Sequence, residues 1–159
     1  MHDPGTHRMA RRTVKPASNR SSVVTYASKE PSAFAEMLGG LIAANVQASP
    51  GKQRDFETLT ARVGIWVTDI EEGVTLVFES GRLTVYNGLE PRRTITIRAE
   101  AQTVMSLSNL KIGVFGLPVY HDGVGRGVAL KLLQGKLKID GMMTNVATLN
   151  RVTRIFSVQ

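Results

Sequence analysis

The sequence contains no cysteine. Disulfides and thiolate metal sites are therefore ruled out, and nothing points to an oxidising compartment. No apolar run approaches the roughly 18 residues that a membrane-spanning helix needs, and residues 1–30 lack the apolar stretch of a secretory signal. The expectation is a soluble, cytoplasmic protein. Histidine is scarce too: His2 and His7 stand near the start, and His121 stands alone between Tyr120 and Asp122. Members of a catalytic triad converge from separate segments, so adjacency of that kind is no triad, and His121 reads as a solvated loop residue. No paired-carboxylate motif or nucleophile elbow stands out. His2, Asp3 and His7 lack a fourth ligand and an orienting shell, so they read as chance and not as a metal site. The chain reads as a non-enzyme without a cofactor.

What the sequence does have is positive charge, unevenly spread. Of a net charge of +7, the first thirty residues hold Arg8, Arg11, Arg12, Lys15, Arg20 and Lys29 against Asp3 and Glu30. The same stretch is rich in Ser, Thr, Pro and Gly and has almost no apolar periodicity. It cannot bury enough surface to offset its ordering entropy, and reads as a disordered basic tail, residues 1–30. Such a tail either docks on an anionic membrane surface or on nucleic acid, or, the favoured reading, is a solubilising extension or a misassigned start.

The remaining residues, 31–159, suffice for one domain with a core that needs no staples. From Ser32, Phe34, Met37, Leu38, Leu41, Ile42 and Val46 recur at helical spacing. Gly39 and Gly40 interrupt this face. Either they let another backbone or a ligand approach, or they are simply poor helix residues. Ser49-Pro50-Gly51 ends the element. A β-rich meander follows over 63–70, 74–80, 82–87 and 93–99, whose short turns predict antiparallel neighbours. Val63, Ile65, Val67, Leu76, Phe78, Leu83, Val85, Ile95 and Ile97 fall on one face, and Thr75, Glu79, Thr84, Thr94, Thr96 and Arg98 on the other. Trp66 and Ile70 depart from the pattern: either that second face is partly covered, or Trp66 marks a contact surface. Base stacking on RNA is disfavoured, because Trp66, Tyr86 and Phe78 do not share one face and no RNP-type octapeptide is present. No specific nucleic-acid partner is expected.

Residues 100–110 read as a short helix with Val104, Leu107 and Ser108 inward. Residues 111–126 are irregular yet apolar, with Ile112, Val114, Phe115, Leu117, Val119 and Tyr120. Such a segment must cover something, as the wall or lid of a ligand site or as ordinary core filling. The Gly123-Val124-Gly125-Arg126-Gly127 run imitates a dinucleotide loop, but valine stands at 128 and no second parallel unit follows. What survives is a helix start at 128–133 whose free N–H groups, beside Arg126, suit the carboxylate or phosphate head group of an amphiphile.

At the end of the chain, Leu137 and Ile139 alternate with Lys136, Lys138 and Asp140 between Gly135 and Gly141, which predicts a short strand with one wet face. Thr144 is the expected N-cap of a closing helix whose apolar stripe is Val146, Leu149, Val152, Thr153 and Phe156, with Asn145, Asn150, Arg151 and Arg154 outward. The run Gln134 to Ile139, then Gly141 and Met143, then an amphipathic helix, resembles the signature of the sterol carrier protein type-two family. With the meander, the resemblance covers roughly residues 33–156.

It implies an α+β fold: a twisted, mainly antiparallel sheet of about five strands with helices packed on one face, enclosing an apolar cavity. It further implies a carrier or lipid-binding module that holds a fatty acyl chain or sterol noncovalently. The residues expected to line the cavity are Val104, Leu107, Leu110, Phe115, Leu117, Leu130, Leu133, Leu137, Ile139 and Phe156, with Arg126 at the head group. The protein is expected to be a monomer. Eukaryotic members often carry a peroxisomal address, which Ser157-Val158-Gln159 is not. The alternative is a protein-interaction or accessory module of a larger assembly, with Trp66 and the apolar link meeting a protein.

Overall fold

A computed structural model of the chain describes residues 23–108 and 134–158, the side chains of 107 and 108 excepted. The described elements are β1 (Val24–Tyr26), α1 (Ala33–Ala48), α2 (Pro50–Thr58), β2 (Thr60–Val67), β3 (Glu72–Glu79), β4 (Leu83–Asn87), β5 (Ile95–Ala99), α3 (Ala101–Ser108), β6 (Lys138–Asp140) and α4 (Val146–Phe156). The strands form one mixed sheet in the order β1-β4-β3-β2-β5-β6. This is the α+β architecture expected, with helices on one face of a mainly antiparallel sheet and one strand more than the five anticipated.

The extra strand is β1. Its residues fall within 1–30, so the described fold begins before residue 31, where the domain was expected to start. Val24 and Tyr26 account for this. β1 lies parallel to β4, with Val24 opposite Leu83 and Tyr26 opposite Val85, and both side chains pack against Gly39 of α1. The two glycines of α1 thus differ: a Cβ at Gly39 would run into the Tyr26 hydroxyl, whereas one at Gly40 would meet nothing within 4 Å. Close approach explains the first glycine only.

Helix α1 starts at Ser32, whose Oγ accepts from Ala35 N–H (3.1 Å) and so satisfies one free donor of the first turn. Ser49-Pro50 ends α1 but also opens α2, a helix that the hydropathy pattern conceals. Proline suits a first helical position because its missing N–H is not needed there, and only Phe56 of this polar segment is buried. Phe56 packs edge-on against Phe78 of β3, ring centroids 6.0 Å apart and planes at 81°.

Strands β2, β3 and β4 form the antiparallel meander, in the register Val63↔Leu76 and Leu76↔Val85. β5 does not continue it. It pairs parallel with β2, with Ile65 opposite Ile97, on the far side from β3. The 88–94 link therefore has to cross β3 and β2. β5 lies three positions from β4 in the sheet, a span of about 14 Å at ordinary strand spacing. Seven extended residues reach about 24 Å, enough to make this crossing directly. The link lies flat on the outer face as a strap: Leu89 packs over Gly64 and Gly73, and Arg93 over Gly64, where any Cβ would overlap the Arg93 side chain. Thr75 holds the strap twice, donating to Gly88 O (2.9 Å) and accepting from Glu90 N–H (2.8 Å), while Arg93 Nε donates to Thr96 Oγ1 (3.0 Å). Trp66, half-buried beside Gly73, belongs to this covered patch, which is the first of the two readings its sequence position left open.

Candidate functional site

The inner face of the sheet and α1, α2, α3 and α4 enclose a single apolar cluster. Four of the expected cavity residues are described, and the cluster holds all four. Val104 comes from α3, Leu137 from the residue before β6, Ile139 from β6 and Phe156 from α4; Val104, Leu137 and Phe156 are buried and Ile139 is partly buried against the core. Leu107 belongs to α3, but its side chain is outside the described residues, as are Leu110, Phe115, Leu117, Arg126, Leu130 and Leu133. His2, Asp3, His7 and His121 also lie outside them.

Alternation accounts for Leu137: it is buried between exposed Lys136 and Lys138. β6 is antiparallel to β5 with Ile139 opposite Ile97, which carries the row Ile65, Ile97, Ile139 across three strands. Gly135 (φ 70°) and Gly141 (φ 83°) bound the strand in the left-handed region that side chains disfavour. At Gly141 space adds a second reason, since a Cβ there would press on Thr94 O.

The closing helix begins one residue later than Thr144 suggests. Asn145 holds the N-cap position without a side-chain cap bond, and Thr144 Oγ1 donates backwards to Gly141 O (3.3 Å). The reason is competition: the Asn145 amide is drawn to Gly141 O (3.0 Å) and Thr94 O (3.3 Å), which pins the β6–α4 corner to the start of β5. Val146, expected in the buried stripe, is half exposed, while Val152 and Phe156 are buried as expected. The stripe outruns its cover.

Asn45 is the residue that hydropathy alone could not single out. Buried in α1, its Nδ2 donates to Ile155 O (3.0 Å) and Phe156 O (2.9 Å), two of the carbonyls that the end of α4 leaves free. It fixes the helix that carries Phe156. Next to it, Lys52 Nζ donates to Ser157 O, and burial lowers the Lys52 pKa. Arg154, expected in water, pairs with Asp55 of α2 at 2.8 Å. Polar groups thus dock α4 onto α1 and α2 at the rim, and the interior at Val104, Leu137, Ile139 and Phe156 holds no titratable side chain among the described residues.

No helix among the described residues is long and apolar enough to cross a membrane. No protein-family model matches the chain, and no curated protein matches it. Solved structures do. UbiJ-SCP2, a ubiquinone synthesis protein, aligns with a TM-score of 0.54 at 15% identity over 77% of this chain and 90% of its own. Sterol carrier protein 2 aligns at 0.47 and 12% identity over 79% and 92%, and TT1886 of Thermus thermophilus, titled as possibly a sterol carrier protein, at 0.41 and 14% over 83% and 94%. With helices against one face of the sheet and a glycine-bounded β6 leading into α4, the described residues have the sterol carrier protein type-two fold.

Proposed function

We propose that this protein binds a lipid noncovalently, a fatty acyl chain or a sterol, in an apolar cavity, as a carrier or lipid-binding module that leaves its ligand chemically unchanged. The cavity lies between the inner face of the sheet, α1, α3 and α4. The observation that carries this reading is the convergence of Val104, Leu137, Ile139 and Phe156, from α3, the 137–139 run and α4, on one apolar core, with no titratable residue buried among the described residues. The fold shared with UbiJ-SCP2 supports it. Binding of this kind grows with chain length, since each buried CH2 contributes about 0.8 kcal/mol whatever the molecule.

The test is direct. Organic extracts of the purified protein are analysed by mass spectrometry, and the delipidated protein is titrated with a fluorescent fatty acid displaced by fatty acids, sterols and, in view of the ubiquinone synthesis named for the relative, polyprenyl quinones. Micromolar binding is expected, with every ligand recovered intact. Phe115→Ala lowers the affinity and costs less stability than a core truncation. No displacement by any of the three classes sinks the proposal, and turnover of an acyl ester that His121→Ala abolishes sinks its non-enzymatic part.

A further inference from the structure

The apolar stripe of α4 continues past the core into solvent. Val152, Ile155 and Phe156 are buried and Leu149 partly so, but Val146 is 50% exposed and Met143, one turn earlier, is 86% exposed. This corner is held in place. Asn145 N–H donates to Met142 O (3.2 Å), the Asn145 side chain donates to Thr94 O and Gly141 O, and Gly141 abuts the Thr94 carbonyl. A large apolar side chain is thus presented to solvent from an ordered turn anchored on the sheet.

Charge around the corner is predominantly positive. From Gly141 to Gln159 the sequence contains Arg151 and Arg154 and no acidic residue. Arg154 is engaged with Asp55, whereas Arg151 is exposed. Lys136 and Lys138 are exposed on the run leading into the corner, and the acid there, Asp140, faces Arg98 at 3.7 Å. The size of the patch separates the kinds of partner. Two apolar side chains fall far short of the about 800 Å² per partner that a specific protein interface buries. They suffice for a bilayer, where a few CH2 groups entering the headgroup boundary and cations near anionic lipid add their contributions.

We propose that the β6–α4 corner docks the protein on anionic membranes, Met143 and Val146 entering the headgroup boundary and Arg151, with Lys136 and Lys138, facing the lipid phosphates. The inference rests on the lipid-binding reading for its purpose, since a bilayer is where a lipid would be taken up or delivered, but its physical claim stands apart from the cavity.

Full-length protein is sedimented with phosphatidylcholine vesicles prepared with and without phosphatidylglycerol. The parent chain partitions onto the anionic vesicles, and added salt weakens the interaction. Met143→Asp with Val146→Asp lowers the partition coefficient by about tenfold or more. Arg151→Ala lowers it by roughly fivefold. Met143→Trp raises it, because indole favours the interface. Ile70→Asp, at an apolar residue 51% exposed in the β2–β3 turn, leaves it unchanged. Thermal melts verify that each variant is folded. Parent-like partitioning of the folded Met143→Asp/Val146→Asp protein, or no gain from Met143→Trp, overturns the proposal. Fluorescent fatty-acid binding without vesicles separates the two readings: ligand binding without docking sinks this inference alone, and docking without ligand binding sinks only the carrier reading.

Discussion

On the inner face of the sheet, Val63, Ile65 and Val67 of β2 and Val74, Leu76 and Phe78 of β3 are buried under helices. On the outer face of the same two strands stand Gly64, Gly73 and Thr75, under a strap so close that a side chain at 64 would collide with Arg93 and one at 73 would crowd Leu89. The same backbone thus carries two solutions to covering a sheet. One excludes water with large apolar side chains, and its strength scales with buried area. The other removes side chains to let a short link approach, and relies on hydrogen bonds of Thr75, Thr96 and Arg93. A function based on apolar burial belongs on the first face, because the second holds few apolar groups and fixes those it has.

The largest test of this contrast is at Ile65, fully buried in the middle of the inner face. Ile65→Ala is expected to cost about 2 to 5 kcal/mol by urea denaturation, the range for truncating a packed aliphatic side chain. A loss below about 1 kcal/mol would mean that the inner face is not close-packed there.

The outer face predicts the opposite sensitivity, to addition. Gly64→Ala forces the Arg93 side chain aside and crowds Leu89. The expected cost is about 1 to 3 kcal/mol, as for overpacking elsewhere. Arg93→Ala in the same chain removes the obstruction, so the double variant loses less than the two single losses combined. Strict additivity would break the account of the strap.

The smallest effect is at the rim of the inner face, where Tyr26 of β1 packs against Gly39 and donates to Glu36 O (3.3 Å). Burial, and secondarily the Glu36 charge, raise the Tyr26 pKa above its ordinary 10.0. Above that pH the unfolded chain releases the phenolic proton while the folded one keeps it, so stability falls as pH rises through the folded value. Lys52, with its pKa lowered from 10.5 by burial, acts in the opposite sense: stability rises as pH climbs towards 10.5. Comparing the parent with Tyr26→Phe isolates the tyrosine. The parent should lose stability relative to the variant between neutral pH and strongly alkaline pH, and parallel pH profiles would contradict the burial of the hydroxyl.

Several of these features are legible in the order of residues alone. Val63, Ile65, Val67, Leu76, Leu83, Val85, Ile95 and Ile97 fall at alternate positions along their strands, and all are buried. Leu137 between its two lysines follows the same rule. α2 escaped because one buried residue, Phe56, leaves no periodicity to find, and its Ser-Pro start also reads as a stop signal. β1 escaped because three residues in a basic, serine-rich context become a strand only when β4 and Gly39 are present to receive Val24 and Tyr26. Of the candidate lipid-contacting residues, Val104, Leu137, Ile139 and Phe156 meet in one cluster, while Leu107, Leu110, Phe115, Leu117, Arg126, Leu130 and Leu133 have side chains outside the described residues.

By itself the sequence determined most of the residues that face inward, the positions of most strands and helices, and the absence of disulfides, because these follow from composition and from periods of 2 and 3.6 that local geometry imposes. Tertiary structure alone decided that β5 crosses to pair parallel with β2, that Gly64 and Gly73 make room for a strap, that Asn45 holds the end of α4, and that Val146 and Met143 remain exposed. Each of these depends on which segments meet in space, through strand pairing, steric clearance or the reach of a neighbour, and hydropathy along a chain carries no record of that.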